Sequence, residues 1–213
     1  MVDGQLRPNQ VADPTILAAM DDIPRELFVP STLVGVAYLD ESIPLISGRF
    51  LMQPMVLARL IQAAGITKRD RVLELAAATG YSTLILSRLA ASVFSVEPDA
   101  LLHQEAERNV AAYAHGEATV LAGAPVEGCI AHAPFDVIFV NGSVEFLPEL
   151  LFEQLAEGGR LVAVVRTHDP ARIVHTGQAR LYRKTGGEVS WISLFDAHVP
   201  LAPGFQAPHG FEF

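Results

Sequence analysis

Two acids at the ends of apolar runs carry the most chemical information in this 213-residue chain. Arg71-Val-Leu-Glu-Leu75 brings Glu74 to the end of one run, and Ala76-Ala-Ala-Thr-Gly-Tyr81 follows as a small-residue loop that opens a helix. Val93-Phe-Ser-Val-Glu-Pro98 is a second run, ending in Glu97, with Pro98 starting the next helix. A loop leaving the carboxyl end of a buried strand opens onto the crevice where open sheets bind ligands. Its N–H groups and the helix terminus behind it favour an anionic or carboxylate-bearing group. An acid at the tip of the neighbouring strand can accept both hydrogen bonds of a ribose diol. Together these units describe a site for an adenosine-bearing cofactor.

Two cofactors compete for that description. A nicotinamide dinucleotide needs glycines at a G-x-G-x-x-G spacing, and this loop offers only Gly80, with Ala76 and Ala78 where such loops usually carry glycine. An acid just before the loop, as Glu74 is, belongs to S-adenosylmethionine sites more than to dinucleotide sites. The bland alternative is a plain strand-turn-helix with a solvated glutamate, because short motifs match often by chance.

The surrounding pattern supplies the scaffold. Strands are expected at 71–75, 93–97, 118–121, 135–140 and 160–166, and helices at about 80–90, 99–113 and 147–156. Such alternation predicts a parallel sheet with helices on both faces. The runs 179–184 and 189–199 flank Thr185-Gly186-Gly187, a hairpin turn signal, so the sheet finishes antiparallel. That ending favours a methyltransferase fold over a simple dinucleotide fold. Upstream, Asp13-Pro14 caps a short helix, 38–54 reads as a long irregular loop of the kind that often carries function, and 55–64 is helical up to Gly65.

Composition narrows the class. A net charge of -9 with 15 basic residues and no basic run argues against nucleic acid and anionic membranes as partners. One cysteine, Cys129, fits a reducing compartment. No apolar run approaches the roughly 18 residues that span a bilayer, and the first ten residues lack the apolar core of a secretory signal. The expectation is a cytoplasmic protein, monomer or homodimer, of one domain: an N-terminal helical and substrate-loop segment (1–65), a cofactor-binding sheet core (66–201) and a C-terminal tail (202–213). The seven histidines show no metal-ligand spacing, so no metal is expected.

The flanks then point to a family. Gln5-Leu-Arg7, Ile23-Pro-Arg-Glu-Leu-Phe-Val-Pro30, Ala37-Tyr-Leu-Asp40 and Gln53-Pro54 resemble the N-terminal part of protein-L-isoaspartate O-methyltransferases. Phe135-Asp-Val-Ile-Phe-Val140, Pro148-Glu-Leu-Leu151, Glu157-Gly-Gly-Arg-Leu-Val162 and His198-Val-Pro-Leu201 extend the likeness in order to the C-terminus. The resemblance implies a Rossmann-like class I S-adenosylmethionine methyltransferase: an α/β protein with a mostly parallel seven-stranded sheet ending in an antiparallel hairpin. It implies S-adenosylmethionine as cofactor and damaged proteins or peptides as partners, methylated on the carboxylate of isoaspartyl residues. A carboxylate with a pKa of about 4 is already ionised at neutral pH, so the chemistry asks for alignment and exclusion of water more than for a base.

Carried over by position, Glu74, Ala76, Ala78, Thr79, Gly80 and Tyr81 form the methionine side of the cofactor site, and Glu97 with Pro98 the ribose side. Gly123 and Ala124 fall beside the adenine, and Asn141 lies beneath the cofactor. Phe50, His198 and Val199 border the peptide substrate, while Arg49, Met52 and Gln53 fall at the catalytic end of the substrate loop. That loop departs from the family, which reads approximately Gly-Gln-Thr-Ile-Ser-x-Pro where this chain has Gly48-Arg-Phe-Leu-Met-Gln-Pro54. Met52 replaces a serine that contacts the acceptor carboxylate, and methionine has no donor. Arg49 is the available replacement charge. Ala76, Ala78 and Ala124 are further departures, and the set implies a weakened isoaspartyl activity. Two other readings stay open: a methyltransferase with a more apolar acceptor, and a non-catalytic relative that binds a ligand or protein. Elsewhere, Cys129 reads as a buried thiol on a helix face with His132, and His168-Asp169 as a solvated pair past the fifth strand.

Overall fold

The computed structural model describes residues 1–166 and 176–207. Helix α1 (Pro14–Asp22) starts where the Asp13 carboxylate accepts from the N–H groups of Thr15 and Ile16, with Pro14 in the first turn. Short 3₁₀ turns follow at Arg25–Phe28 and Ser31–Val36. The segment 38–54 is less irregular than its sequence suggests. Strands β1 (Ile43–Pro44) and β2 (Phe50–Leu51) pair antiparallel within it, and Ser47 and Gly48 turn the chain with φ of 54° and 67°. Helix α2 (Pro54–Ala64) buries one apolar side and ends at Gly65 in the left-handed region.

From there strand and helix alternate: β3 (Arg71–Leu75), α3 (Tyr81–Ser87), β4 (Ser92–Glu97), α4 (Ala100–Tyr113), β5 (Glu117–Ala122), β6 (Phe135–Val144), α5 (Glu149–Glu153), β7 (Leu155–Arg166), β8 (Gly177–Thr185) and β9 (Glu188–Ala197). The main sheet has seven strands in the order β5-β4-β3-β6-β7-β8-β9. The first five strands of that order run parallel, and β8 and β9 are antiparallel additions. The chain winds outward from β3 to β5 and then returns to β6 on the other side of β3. This reversal opens a crevice at the carboxyl ends of β3 and β6, where open sheets take their ligands.

Some boundaries differ from the sequence reading. Helix α5 occupies 149–153 rather than 147–156, because Leu155 already belongs to β7. Strand β7 therefore begins five residues earlier than 160, with a register shift between Phe135 and Val137 where Gly158 and Gly159 pass. Helix α3 stops at Ser87 instead of 90. Strand β9 stops at Ala197, leaving His198 and Val199 beyond it, because the Val199 carbonyl is taken by Ser143 Oγ and Arg166 Nη2 rather than by the ladder. Cys129 is only half-buried, at the start of the turn Ile130–His132, and this partial burial pushes its thiol pKa up. His168 and Asp169 lie outside the described residues. The tail lies across the body through Phe205, which is fully buried and accepts from the Glu145 N–H. Among the described residues no helix is long and apolar enough to cross a membrane.

Alternation along the strands divides the core in two. Val72, Val137, Phe139 and Val162 face α1, α2 and α3, while Leu73, Leu75, Ile138, Val140 and Leu161 face α5 and Phe205. The N-terminal segment is fastened to this body by Arg25, which is fully buried. Its Nε donates to the Ala37 carbonyl (2.7 Å) and its Nη2 to the Met52 carbonyl (2.6 Å), while its guanidinium lies 5.1 Å from the Tyr81 ring centre. Burial lowers its pKa below the ordinary arginine value. An ammonium cannot reach two carbonyls in this planar fork. Arg25→Lys should therefore lower the unfolding free energy by about 1–3 kcal/mol, the cost of a lost charged hydrogen bond, read from urea denaturation midpoints.

Candidate active site

The loop between β3 and α3 takes an unusual path. Ala76, Ala78 and Gly80 have φ of 68°, 54° and 85°, so three alternate residues are left-handed and two of them are not glycine. The N–H groups of Ala76 and Ala77 both donate to the Val96 carbonyl, and that of Gly80 to Ala77. The first two donors bind the loop to β4 and the third closes the loop on itself, so none of them points outward. The Ala78 N–H does capture a carboxylate, but it is the chain's own: Glu97 Oε2, at 2.6 Å.

The left-handed alanines are sustained by burial. Each costs about 1–2 kcal/mol in conformation, but each also buries its methyl group, with Ala76 at 0% and Ala78 at 1% exposure. A buried methyl stabilises by about 0.8 kcal/mol, and alanine restricts the unfolded chain relative to glycine by about 0.4–1 kcal/mol. The sum is near zero, so the loop keeps a glycine-like path without glycine.

Glu97 is fully buried at the tip of β4. Its Oε1 accepts from Arg49 Nη1 (2.5 Å) and from the Asp99 N–H (3.1 Å). Arg49 comes from the β1–β2 hairpin, is 9% exposed, and also donates from Nη2 to the Ala76 carbonyl at 3.0 Å. Asp99 caps α4, and its carboxyl is held below the usual range by the Leu102 N–H, the Ser47 hydroxyl and, more weakly, Arg49. The hairpin turn is thus seated on the start of α4.

Glu74 faces inward. Both its oxygens are enclosed, accepting from the hydroxyls of Ser82, Thr83 (2.5 Å) and Ser95 (2.7 Å), and Asn141 Nδ2 adds a bond to Ser82 Oγ at 2.8 Å. Burial raises its pKa above the ordinary carboxylate value, the hydroxyls opposing, and nearby Glu97 adds a smaller push upward. Tyr81, at the start of α3, is also fully enclosed, and burial pushes its hydroxyl up to about 12.

Met52 is 3% exposed and belongs to the main core, with its carbonyl on Arg25, so it is a packing residue as well as a wall of the cleft. Phe50 is half-buried on β2, and Gln53 stands at the N-cap position of α2 with no side-chain cap bond. Phe50, Met52, Arg49, Asn141, Val199 and Ala202 line a gap of about 10 Å³, room for a single water at most. Gly142 makes its narrow floor possible, since a Cβ there would lie 2.8 Å from that of Ala202. Pro98 is exposed, Gly123 and Ala124 lie on the open side beyond β5, Gly123 donating to the Glu97 carbonyl, and His198 is exposed. Thr79 Oγ1 donates to the Phe28 carbonyl, which ties the loop to the N-terminal segment. Among the described residues no group of His, Cys, Asp and Glu is arranged to hold a metal.

Sequence reasoning brings Arg49, Glu74, the loop, Glu97 and Asn141 to one crevice. It misses Ser82, Thr83 and Ser95 beneath Glu74, and Arg25 behind Met52. The signal for the first was a pair of hydroxyls in the opening turn of a helix that follows a buried acid.

A mostly parallel sheet with a reversal beside β3, an antiparallel end and an acid at the β4 tip define a class I S-adenosylmethionine-dependent methyltransferase. A family profile described as protein-L-isoaspartate(D-aspartate) O-methyltransferase matches residues 2–198. The protein-L-isoaspartate O-methyltransferase of Koribacter versatilis is 41% identical over 94% of this chain and 88% of its own length. That of Gloeobacter violaceus is 38% identical over 94% and 96%. A solved protein-L-isoaspartate O-methyltransferase superposes with a TM-score of 0.79 at 28% identity, covering 93% of this chain and 63% of that longer one. A Plasmodium falciparum structure, described as a putative protein-L-isoaspartate O-methyltransferase in complex with S-adenosyl-L-homocysteine, shares the fold at a TM-score of 0.76 and 17% identity, over 92% of this chain and 94% of that one. The chain belongs to the protein-L-isoaspartate O-methyltransferase family.

Two expectations follow from the site. Because folded Glu74 holds its proton more firmly than the unfolded chain does, stability falls as pH rises from about 4, the unfolded carboxylate value, through the raised folded pKa. Glu74→Gln should remove that decline, read from urea midpoints across the pH range. Ala78→Gly should change stability by less than about 1 kcal/mol, whereas Ala78→Val, branched at a left-handed position, should cost more than about 2 kcal/mol.

Proposed function

We propose that the chain methylates the α-carboxylate of L-isoaspartyl residues in proteins or peptides. The observation that carries this is Glu97, an acid enclosed at the tip of β4 beside a glycine-like loop. The residues fit the cofactor. Glu97 would hold the ribose hydroxyls in place of Arg49. The loop 76–81, whose Ala76, Ala77, Ala78 and Gly80 N–H groups are already taken, would border the methionine end, and Gly123 with Ala124 the adenine edge, while Asn141 lies beneath. S-adenosylmethionine supplies an electrophilic methyl on a sulfonium.

This chain's residues supply the rest. Phe50, Met52, Val199 and Ala202 form the apolar side of a narrow cleft whose polar side is Arg49 and Asn141. No base is needed, since the acceptor is already ionised. Arg49, just before β2, stands in for the missing loop hydroxyl as the group that orients the acceptor carboxylate. A lone free cysteine and the absence of basic runs support a cytoplasmic enzyme.

The test pairs an L-isoaspartyl peptide with its L-aspartyl twin and follows methyl incorporation by mass spectrometry. Incorporation into the first alone is expected. Methylation of neither, with the cofactor demonstrably bound, would sink the acceptor assignment. Glu97→Gln should weaken binding of S-adenosylhomocysteine by about 10–100-fold, the worth of hydrogen bonds to a charged acceptor.

A further inference from the structure

Glu97 is claimed from within the chain before any cofactor reaches it. We infer that Arg49 and the cofactor's ribose compete for Glu97, so that cofactor binding frees the Arg49 guanidinium to hold the acceptor carboxylate. This rests on the proposed function and adds an order of events to it.

A carboxylate offers about four lone-pair positions. On Glu97 three are taken: Oε1 by Arg49 Nη1 and the Asp99 N–H, Oε2 by the Ala78 N–H. A diol donating two bonds needs more than remains. The amide donors are fixed, one in the left-handed loop and the other at the α4 cap. Only Arg49 is carried on a side chain that can leave. Its pair with Glu97, with side chains 10% and 0% exposed, is the most enclosed ion pair among the described residues.

The hairpin is built to let it go. Its turn is closed by its own bonds, Leu45 N–H to the Arg49 carbonyl (2.7 Å) and Arg49 N–H to the Ile46 carbonyl (3.0 Å). Two successive left-handed residues, Ser47 and Gly48, shape the tip. Ile43, Leu51 and the Met52 carbonyl stay anchored in the core. Arg49 can therefore withdraw from Glu97 and Ala76 without unpairing β1 from β2. The ribose hydroxyls replace its donors, so Glu97 stays satisfied.

Once released, Arg49 still borders the gap between Phe50, Met52 and Val199. None of those neighbours offers a charge. The gap now admits at most one water, so the acceptor carboxylate is met at its mouth, where the withdrawn guanidinium can make a strong, bidentate contact. The acceptor then binds well only after the cofactor, and linkage requires that each tighten the other equally.

Calorimetry with S-adenosylhomocysteine and an isoaspartyl peptide separates the possibilities. Arg49→Gln should bind S-adenosylhomocysteine about tenfold tighter than the native chain, because the competing state is gone. Peptide affinity in saturating S-adenosylhomocysteine should fall about tenfold or more in that variant. In the native chain the peptide should bind detectably only with S-adenosylhomocysteine present. Arg49→Lys, which keeps the charge but loses the fork, should lie between the two on both axes and guards against a folding defect. Unchanged or weaker cofactor binding by Arg49→Gln would overturn the competition. Tighter cofactor with unchanged peptide affinity would overturn the release. Absence of S-adenosylhomocysteine binding by every variant would instead bring down the proposed function itself, and the inference with it.

Discussion

Two carboxylates, Glu74 and Glu97, sit enclosed at the ends of adjacent strands, and a buried charge must be paired, hydrogen-bonded or neutralised. The two acids meet that constraint differently. Glu74 gathers hydroxyls from α3 and β4 and a raised pKa, so it becomes part of the frame. Glu97 gathers two backbone N–H groups and a guanidinium, and the guanidinium, carried on a side chain, is a partner it can exchange. Most of the architecture around the crevice is arranged by these needs. The loop bends so that Ala78 can donate, α4 starts where Asp99 can donate, and the β1–β2 hairpin seats where Arg49 can reach.

The same constraint explains how the chain tolerates alanine in a loop that asks for glycine. The backbone must turn left-handed at 76, 78 and 80 to aim the Ala78 N–H at Glu97 while Ala76 and Ala77 hold β4. Alanine meets the conformational cost with buried methyl area. What it removes is room, since the Cβ atoms fill space that glycine leaves open. A chain that narrows its loop in this way, and places Arg49 and Met52 over the cleft, has traded spaciousness for enclosure.

Much of this was legible in order along the chain. Strand tips with acids, the Thr185-Gly186-Gly187 hairpin and the apolar periods of β3, β4 and β6 are local signals, because side-chain alternation and turn chemistry act over a few residues. The sequence likeness around Ile23–Pro30 and His198–Leu201 extended the reading to the family. The shorter α5, the early start of β7 and the end of β9 were not legible, since each is decided by partners far away: Phe135 for β7, and Ser143 and Arg166 for the segment after β9.

The sequence by itself determined which chemistry is present: an acid for a ribose, a small-residue loop, an arginine in place of an amide and a methionine in place of a hydroxyl. It did not determine where those groups point. That Glu74 turns inward to hydroxyls, that Met52 packs into the core and that Arg49 spans 48 residues of chain to lie on Glu97 are results of tertiary structure. The reason is that direction for a long polar side chain is set by which buried partner lacks a bond. That is known only when strand tips, hairpin and helix starts have been brought together.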